Sequence, residues 1–217
     1  MPAEDFGLSQ FWYSDACADA LAEAIRRSVG ETARVAVLSC PSVFRALRRR
    51  RTHDASVLFE KDRRFSEGLR SGSEFRMFDF RDEPPEAAAS SGERSTGAEG
   101  TAFDAVVVDP PYVSRECLLA FWRWVRVLSA REPPVVLLFT SIVNAAWLRE
   151  GLDARLRLCR FDLSFASKLA TPLRAFANAP DLADALGGWV DDDDDDQDVE
   201  DSSGGKGPAS ETTTTPG

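Results

Sequence analysis

From residue 14 to residue 178 the apolar positions switch repeatedly between two spacings. Residues 14–29 carry Ala18, Leu21 and Ile25 at helical intervals, with Ser14 placed to cap the start and Gly30 to end it. Residues 33–40 then hold Val35, Val37 and Leu38 in a short run that reads as a strand. A helix over 42–51 follows, then strands over 56–62, 74–80 and 103–108. Next come a helix over 114–128, whose apolar face is Leu118, Phe121, Trp122 and Val125, a strand over 135–140 and a short helix over 144–151. The last two strands, 155–165 and 173–178, are close enough to pair antiparallel. This alternation predicts an α/β fold with a mostly parallel sheet and helices on both faces. Right-handed crossovers bring the ends of its first four strands to one edge.

Two stretches break the pattern. Residues 81–101 are rich in Pro, Ala, Ser, Gly and Glu and read as a long surface loop. Residues 187–217 hold six consecutive aspartates and then Ser, Gly, Lys, Pro and a threonine run. They bury too little apolar surface to offset the entropy of ordering. The expected organisation is therefore one domain over 1–186 and a disordered acidic tail over 187–217. The tail changes the meaning of the net charge of −10: ten acids and one base lie beyond residue 190, so the body is close to neutral. No apolar run approaches the length of a membrane span, and the N-terminus lacks the basic and apolar regions of a secretory signal. Cys17, Cys40, Cys117 and Cys159 are scattered with no metal-binding spacing, which fits reduced core thiols in a cytoplasmic protein. His53, the single histidine, has no catalytic company.

The strongest chemical signal is Asp109-Pro110-Pro111-Tyr112, directly after the apolar run Ala105–Val108. Open α/β sheets bind ligands just past the carboxyl ends of such strands. There, Asp109 and the carbonyls around Pro110 accept hydrogen bonds from an amino group. The prolines fix φ and so aim those acceptors, and Tyr112 offers a flat face for a base or a cation. The same residues also suit a plain strand terminator, so the neighbouring strand ends matter. After the first strand, Ser39, Cys40 and Ser42 form a turn without the glycines that a dinucleotide pyrophosphate needs. Glu60 ends the second strand where an acid reaches ribose hydroxyls. Asp79 and Phe80 end the third, where a carboxylate meets an adenine amino group and a ring packs on the base.

Three segments resemble a known family: residues 8–14 (Leu-Ser-Gln-Phe-Trp-Tyr-Ser), residues 59–65 (Phe-Glu-Lys-Asp-Arg-Arg-Phe), and residues 104–112 with 114–118 after them. They look like the eukaryotic protein-lysine methyltransferases that act on elongation factor 1A, once grouped with N6-adenine DNA methyltransferases because of Asp-Pro-Pro-Tyr. The resemblance implies a Rossmann-like class I methyltransferase fold, with a seven-stranded mostly parallel sheet and a C-terminal antiparallel strand. It also implies S-adenosyl-L-methionine as cofactor and elongation factor 1A as protein substrate. Asp109, Pro110, Pro111 and Tyr112 would then form the amine site. Glu60, Asp79 and Phe80 would serve ribose and adenine, and Ser39, Cys40 and Ser42 the methionine end. Phe11, Trp12 and Tyr13 would close over cofactor or target, although the same aromatics suit a hydrophobic staple on the first helix. Two other readings stay open: an N6-adenine nucleic-acid methyltransferase, which would need a basic face such as Arg45–Arg51, and a cofactor-binding module without turnover. The tail's charge favours a basic protein partner over nucleic acid. Oligomeric state is not readable from these residues.

Overall fold

The computed structural model describes residues 2–49, 55–84, 102–130, 133–152, 155–167 and 172–190. Its centre is one seven-stranded sheet, ordered β3-β2-β1-β4-β5-β7-β6. The strands are β1 (Val35–Leu38), β2 (Val57–Glu60), β3 (Phe75–Met77), β4 (Ala105–Val108), β5 (Val135–Ser141), β6 (Arg157–Asp162) and β7 (Leu173–Ala177). Strands β1 to β5 pair in parallel, while β7 inserts antiparallel between β5 and β6. This is the Rossmann-like methyltransferase arrangement, with the single reversed strand at the C-terminus.

All four residues of β1, β2 and β4 are buried, because helices cover both faces of the sheet. On one face α1 (Asp15–Val29), α2 (Pro41–Arg49) and α5 (Pro180–Ala185) pack Leu21, Ile25, Phe44, Leu47 and Leu182 against Val35, Val37, Leu58 and Val107. On the other, α3 (Arg115–Leu128) and α4 (Ala145–Gly151) pack Leu118, Phe121, Val125 and Leu148 against Ala36, Leu38, Val106 and Val108. The period-2 alternation of the strands therefore divides the core into two layers. Ser14 caps α1, its Oγ accepting from the Cys17 N–H at 3.2 Å, and Ser114 caps α3 in the same way at 3.3 Å.

Differences from the expected elements lie at their ends. The hydrogen-bonded strands are shorter than the apolar runs, so Phe78, Asp79 and Phe80 follow β3 rather than ending it. Strand β6 stops at Asp162, with a register irregularity between Leu158 and Asp162. Helix α5 has no apolar stripe long enough to announce it; Pro180 starts it and Leu182 and Ala183 anchor it. The chain also stays packed four residues beyond the boundary expected at 186. Gly187 and Gly188, both at positive φ, turn it back along β6. There the Arg160 N–H donates to the Gly188 carbonyl, the Val190 N–H donates to the Leu158 carbonyl, and Val190 is buried. Charge dominated the composition of 187–217 and concealed this apolar start. His53, Arg50, Arg51, most of the 81–101 loop and the tail from 191 lie outside the described residues.

Candidate active site

A cavity of about 490 Å³ opens at the carboxyl ends of β1, β2, β3 and β4, within the usual range for small-molecule sites. Backbone hydrogen bonds continue past the strands and build its floor. The Asp109 N–H donates to the Leu38 carbonyl at 3.1 Å, the Ser39 N–H to Phe59 at 2.9 Å, and the Phe78 N–H to Glu60 at 3.2 Å. All twelve expected site residues, Trp12, Tyr13, Ser39, Cys40, Ser42, Glu60, Asp79, Phe80, Asp109, Pro110, Pro111 and Tyr112, line this one cavity.

The turn from β1 into α2 works without glycine. Ser39 takes the left-handed conformation itself, at φ 55°, a geometry that non-glycine residues adopt at a cost and that recurs at ligand sites. Pro41 starts α2 with the φ a first helical turn needs and lacks an N–H that would have no partner there. Cys40 is buried, and burial pushes its thiol well above the usual range, so it lines the cavity as a neutral group.

Glu60 and Asp79 differ in readiness. Glu60 is buried, and the N–H groups of Lys61 and Asp62 both donate to its Oε1 at 2.9 Å. Burial raises its pKa, partly offset by those two donors. Its remaining acceptor capacity suits a donor such as a sugar hydroxyl. The Asp79 carboxylate is already engaged. Arg81 donates through Nε, Nη2 and its backbone N–H, and Lys61 Nζ lies at 2.9 Å, so these partners hold Asp79 well below the usual carboxylate range. An adenine amino group would have to share Asp79 with these two cations. Phe80 stacks on Phe121 at 5.4 Å and meets Tyr112 edge-on at 6.3 Å.

Asp109 is half-buried beneath this aromatic rim. Burial lifts its pKa to about 7; the nearby Tyr13 hydroxyl and Cys40 thiol pull against that rise, and Glu60 adds to it. Tyr13 is buried between Phe139 and Phe165, with ring centroids at 5.2 and 5.0 Å. Its hydroxyl is buried beside the Asp109 carboxyl, and that burial keeps it protonated. Tyr112, by contrast, is 55% exposed and stands at the mouth. Aromatic lining, an available acid at Glu60, and a carboxylate beside a buried hydroxyl together fit a nucleoside-bearing cofactor meeting an amine. Among the described residues no group of three His, Cys, Asp or Glu could hold a metal ion, and no helix there is long and apolar enough to cross a membrane.

Several functional contacts escaped the sequence pattern. Gln10 is buried; its Nε2 donates to Asp62 Oδ2 at 2.9 Å, and its Oε1 accepts from Arg64 Nη2 at 3.0 Å. These bonds fasten the N-terminal strap, residues 2–13, over the cavity. The Ser14 N–H donates to the Ser164 carbonyl, and the Ala166 N–H to the Trp12 carbonyl. The aromatics Trp12 and Tyr13 are thus both packed into the core and exposed to the cavity. Asn144 Nδ2 donates to the Val113 carbonyl at 2.9 Å and to Thr140 Oγ1 at 3.2 Å, tying the end of the Asp109–Tyr112 loop to β5. A polar residue just past an apolar strand was the only hint of Asn144. The strap's pairing partners lie some 150 residues away, beyond any local signal.

Comparisons with known proteins agree with this geometry. A family model described as "Probable N6-adenine methyltransferase" matches residues 4–180. The chain is 35% identical over 181 residues to the EEF1A lysine methyltransferase 1 of Bos taurus, covering 81% of this chain and 71% of the relative. For the Danio rerio protein of that name the identity is 33%, covering 79% and 96%. The Protein-lysine N-methyltransferase CG9154 of Drosophila melanogaster is 29% identical, covering 81% and 76%. The chain therefore belongs to this methyltransferase family, whose relatives named here are protein-lysine methyltransferases.

Proposed function

We propose that the chain transfers a methyl group from S-adenosyl-L-methionine to a lysine side chain of elongation factor 1A. One observation carries the choice of a lysine: Asp109 lies in the cavity beneath an aromatic mouth with a pKa of about 7. A lysine arrives as an ammonium, with an ordinary pKa of ~10.4, and must lose a proton before it can attack. Asp109 attracts the cation, and its own proton affinity near neutrality lets it accept that proton and pass it to water. The exocyclic amine of adenine is uncharged and carries no ammonium proton that must leave before attack. Tyr112 and Phe80 would guide the aliphatic stem, with Tyr112 placed for a cation–π contact.

S-adenosyl-L-methionine would be held by Glu60 at the ribose, by Phe78, Phe80 and Asp79 around the adenine, and by the turn of Ser39, Cys40 and Ser42. When bound it supplies an electrophilic methyl: the carbon–sulfur bond breaks with its electron pair kept by sulfur as the amine lone pair forms the carbon–nitrogen bond. The chain's own contribution is proximity, orientation and exclusion of water beneath the strap.

The names of the vertebrate relatives support elongation factor 1A as the substrate. Ion pairing argues against phosphate binding at the end of α2: Arg48 pairs with Glu74, and Arg49 with Asp15 and Asp19. The test uses labelled S-adenosyl-L-methionine, the chain, and purified elongation factor 1A or duplex DNA. Label in the protein, lost in Asp109→Ala with its circular dichroism intact, is the expected result. Label in DNA alone, or full turnover by Asp109→Ala, overturns the proposal.

A further inference from the structure

Single apolar side chains on a protein surface need no explanation, but a cluster of them does. Three of the large apolar side chains that are exposed among the described residues gather at one place. Tyr112 and Val113 line the mouth of the cavity, and Val113 is 37% exposed. Val143, 63% exposed, follows the end of β5 and adjoins them, because the next residue, Asn144, donates its Nδ2 to the Val113 carbonyl at 2.9 Å. Buried polar groups back this cluster. The Asn144 side chain also donates to the buried Thr140 Oγ1 at 3.2 Å, and the Val143 N–H meets Ser141 Oγ at 3.5 Å. Two valines, each stiff at χ1, are thus presented outward on a fixed support, so covering them sacrifices little side-chain freedom.

We propose that Val113 and Val143, with Tyr112, form a docking ledge for the protein substrate, and that the ledge seats an apolar side chain lying beside the target lysine on elongation factor 1A. This rests on the lysine methyltransferase reading above. The ledge is continuous with the cavity that takes the lysine, so the surface that delivers the lysine comes to rest against it. Its chemistry selects a protein over a nucleic acid. Neither valine side chain can pair with a phosphate or donate to the edge of a base, whereas an aliphatic side chain set against them is removed from water together with them. The cavity tests the amine and the ledge tests its surroundings. A lysine with only polar neighbours gains nothing from the ledge, and this distinguishes one lysine from the others on the same surface.

The experiment compares wild type with Val143→Ser and Val143→Leu, changes at an exposed position that spare the core. Steady-state kinetics with elongation factor 1A give KM and kcat, and titration calorimetry gives the affinity for S-adenosyl-L-methionine. Val143→Ser raises the KM for elongation factor 1A about five-fold, the scale of the apolar contact removed. It leaves kcat and cofactor affinity within about two-fold, the pattern of lost binding rather than lost chemistry. Val143→Leu keeps the KM at or below that of wild type, because it restores apolar surface. An unchanged KM in Val143→Ser overturns the inference. So does an equal rise in both variants, which would make the position sensitive to shape rather than to apolarity, and so does a fall in kcat alone. If wild type transfers no methyl group to elongation factor 1A, or labels duplex DNA instead, the lysine reading fails and the ledge with it. If wild type methylates the factor and Val143→Ser matches it, only the ledge fails.

Discussion

At the scale of single residues, the buried setting of Asp109 carries a cost that the proposed role in proton transfer accounts for. Its folded-state pKa of about 7 lies above the ordinary 3.8, so the fold prefers the protonated acid. Whatever stability the neutral form supports is fully present below pH ~4 and is lost as the pH rises through about 7. Roughly 2–4 kcal/mol of destabilisation follows at pH 8, from ~1.4 kcal/mol per tenfold change in proton affinity, reduced for water in the cavity. Asp109→Asn is isosteric and neutral, so its urea midpoint exceeds that of wild type at pH 8, and the gap closes toward pH 4. Equal midpoints at pH 8 would contradict the burial of this carboxyl. The acid limb of wild-type kcat/KM falls as pH drops below about 7, because protonated Asp109 no longer accepts the lysine's proton.

At the scale of elements, the N-terminal strap depends on a few polar bonds rather than on regular secondary structure. Gln10 links it to Asp62 and Arg64 just beyond β2, and the Trp12 N–H donates to Glu4 Oε1 at 2.7 Å. Gln10→Ala removes the donor to a buried carboxylate and is expected to cost about 1–3 kcal/mol. It also weakens cofactor affinity severalfold, because the strap forms one wall of the cavity; titration calorimetry with S-adenosyl-L-methionine measures this. The existence of this element illustrates where sequence reading ended. The strands and main helices were legible because each carries its own period, and Asp109 because it sits at the end of the most apolar strand. The strap's bridge from Tyr13 to Phe165 was not legible, since it joins distant segments in a single residue pair. Nor was the hold of Lys61 and Arg81 on Asp79, which depends on where side chains point after a strand has ended.

At the scale of the whole molecule, one sheet collects residues from five separate stretches of chain into one cavity, and its far edge is closed by the residues just before the acidic tail. Trp189 stacks under Arg157, 4.7 Å from guanidinium carbon to ring centroid, and its Nε1 donates to the Ala177 carbonyl at 3.2 Å. A chain ending at Val190 is therefore expected to keep the thermal midpoint of the full chain. One ending at Leu186 loses about 5–10 °C, from some 2–3 kcal/mol of lost packing at the usual 2–4 °C per kcal/mol. Differential scanning calorimetry of the two truncations decides this, and equal midpoints would place the end of the folded body at 186 after all.

The insertion of β7 between β5 and β6 also sets an order on synthesis. A nascent chain that has made β6 has no place for it, because β6 meets the sheet only through β7. Until residue 177 clears the ribosome, β5 presents an open hydrogen-bonding edge flanked by Leu137, Leu138 and Phe139, a template for pairing with other chains. The parallel strands that carry the site residues can form earlier, but the sheet beside them closes only once β7 is available to pair. The β5 edge is therefore covered only after β7 has emerged, which gives chaperones a defined interval in which to act.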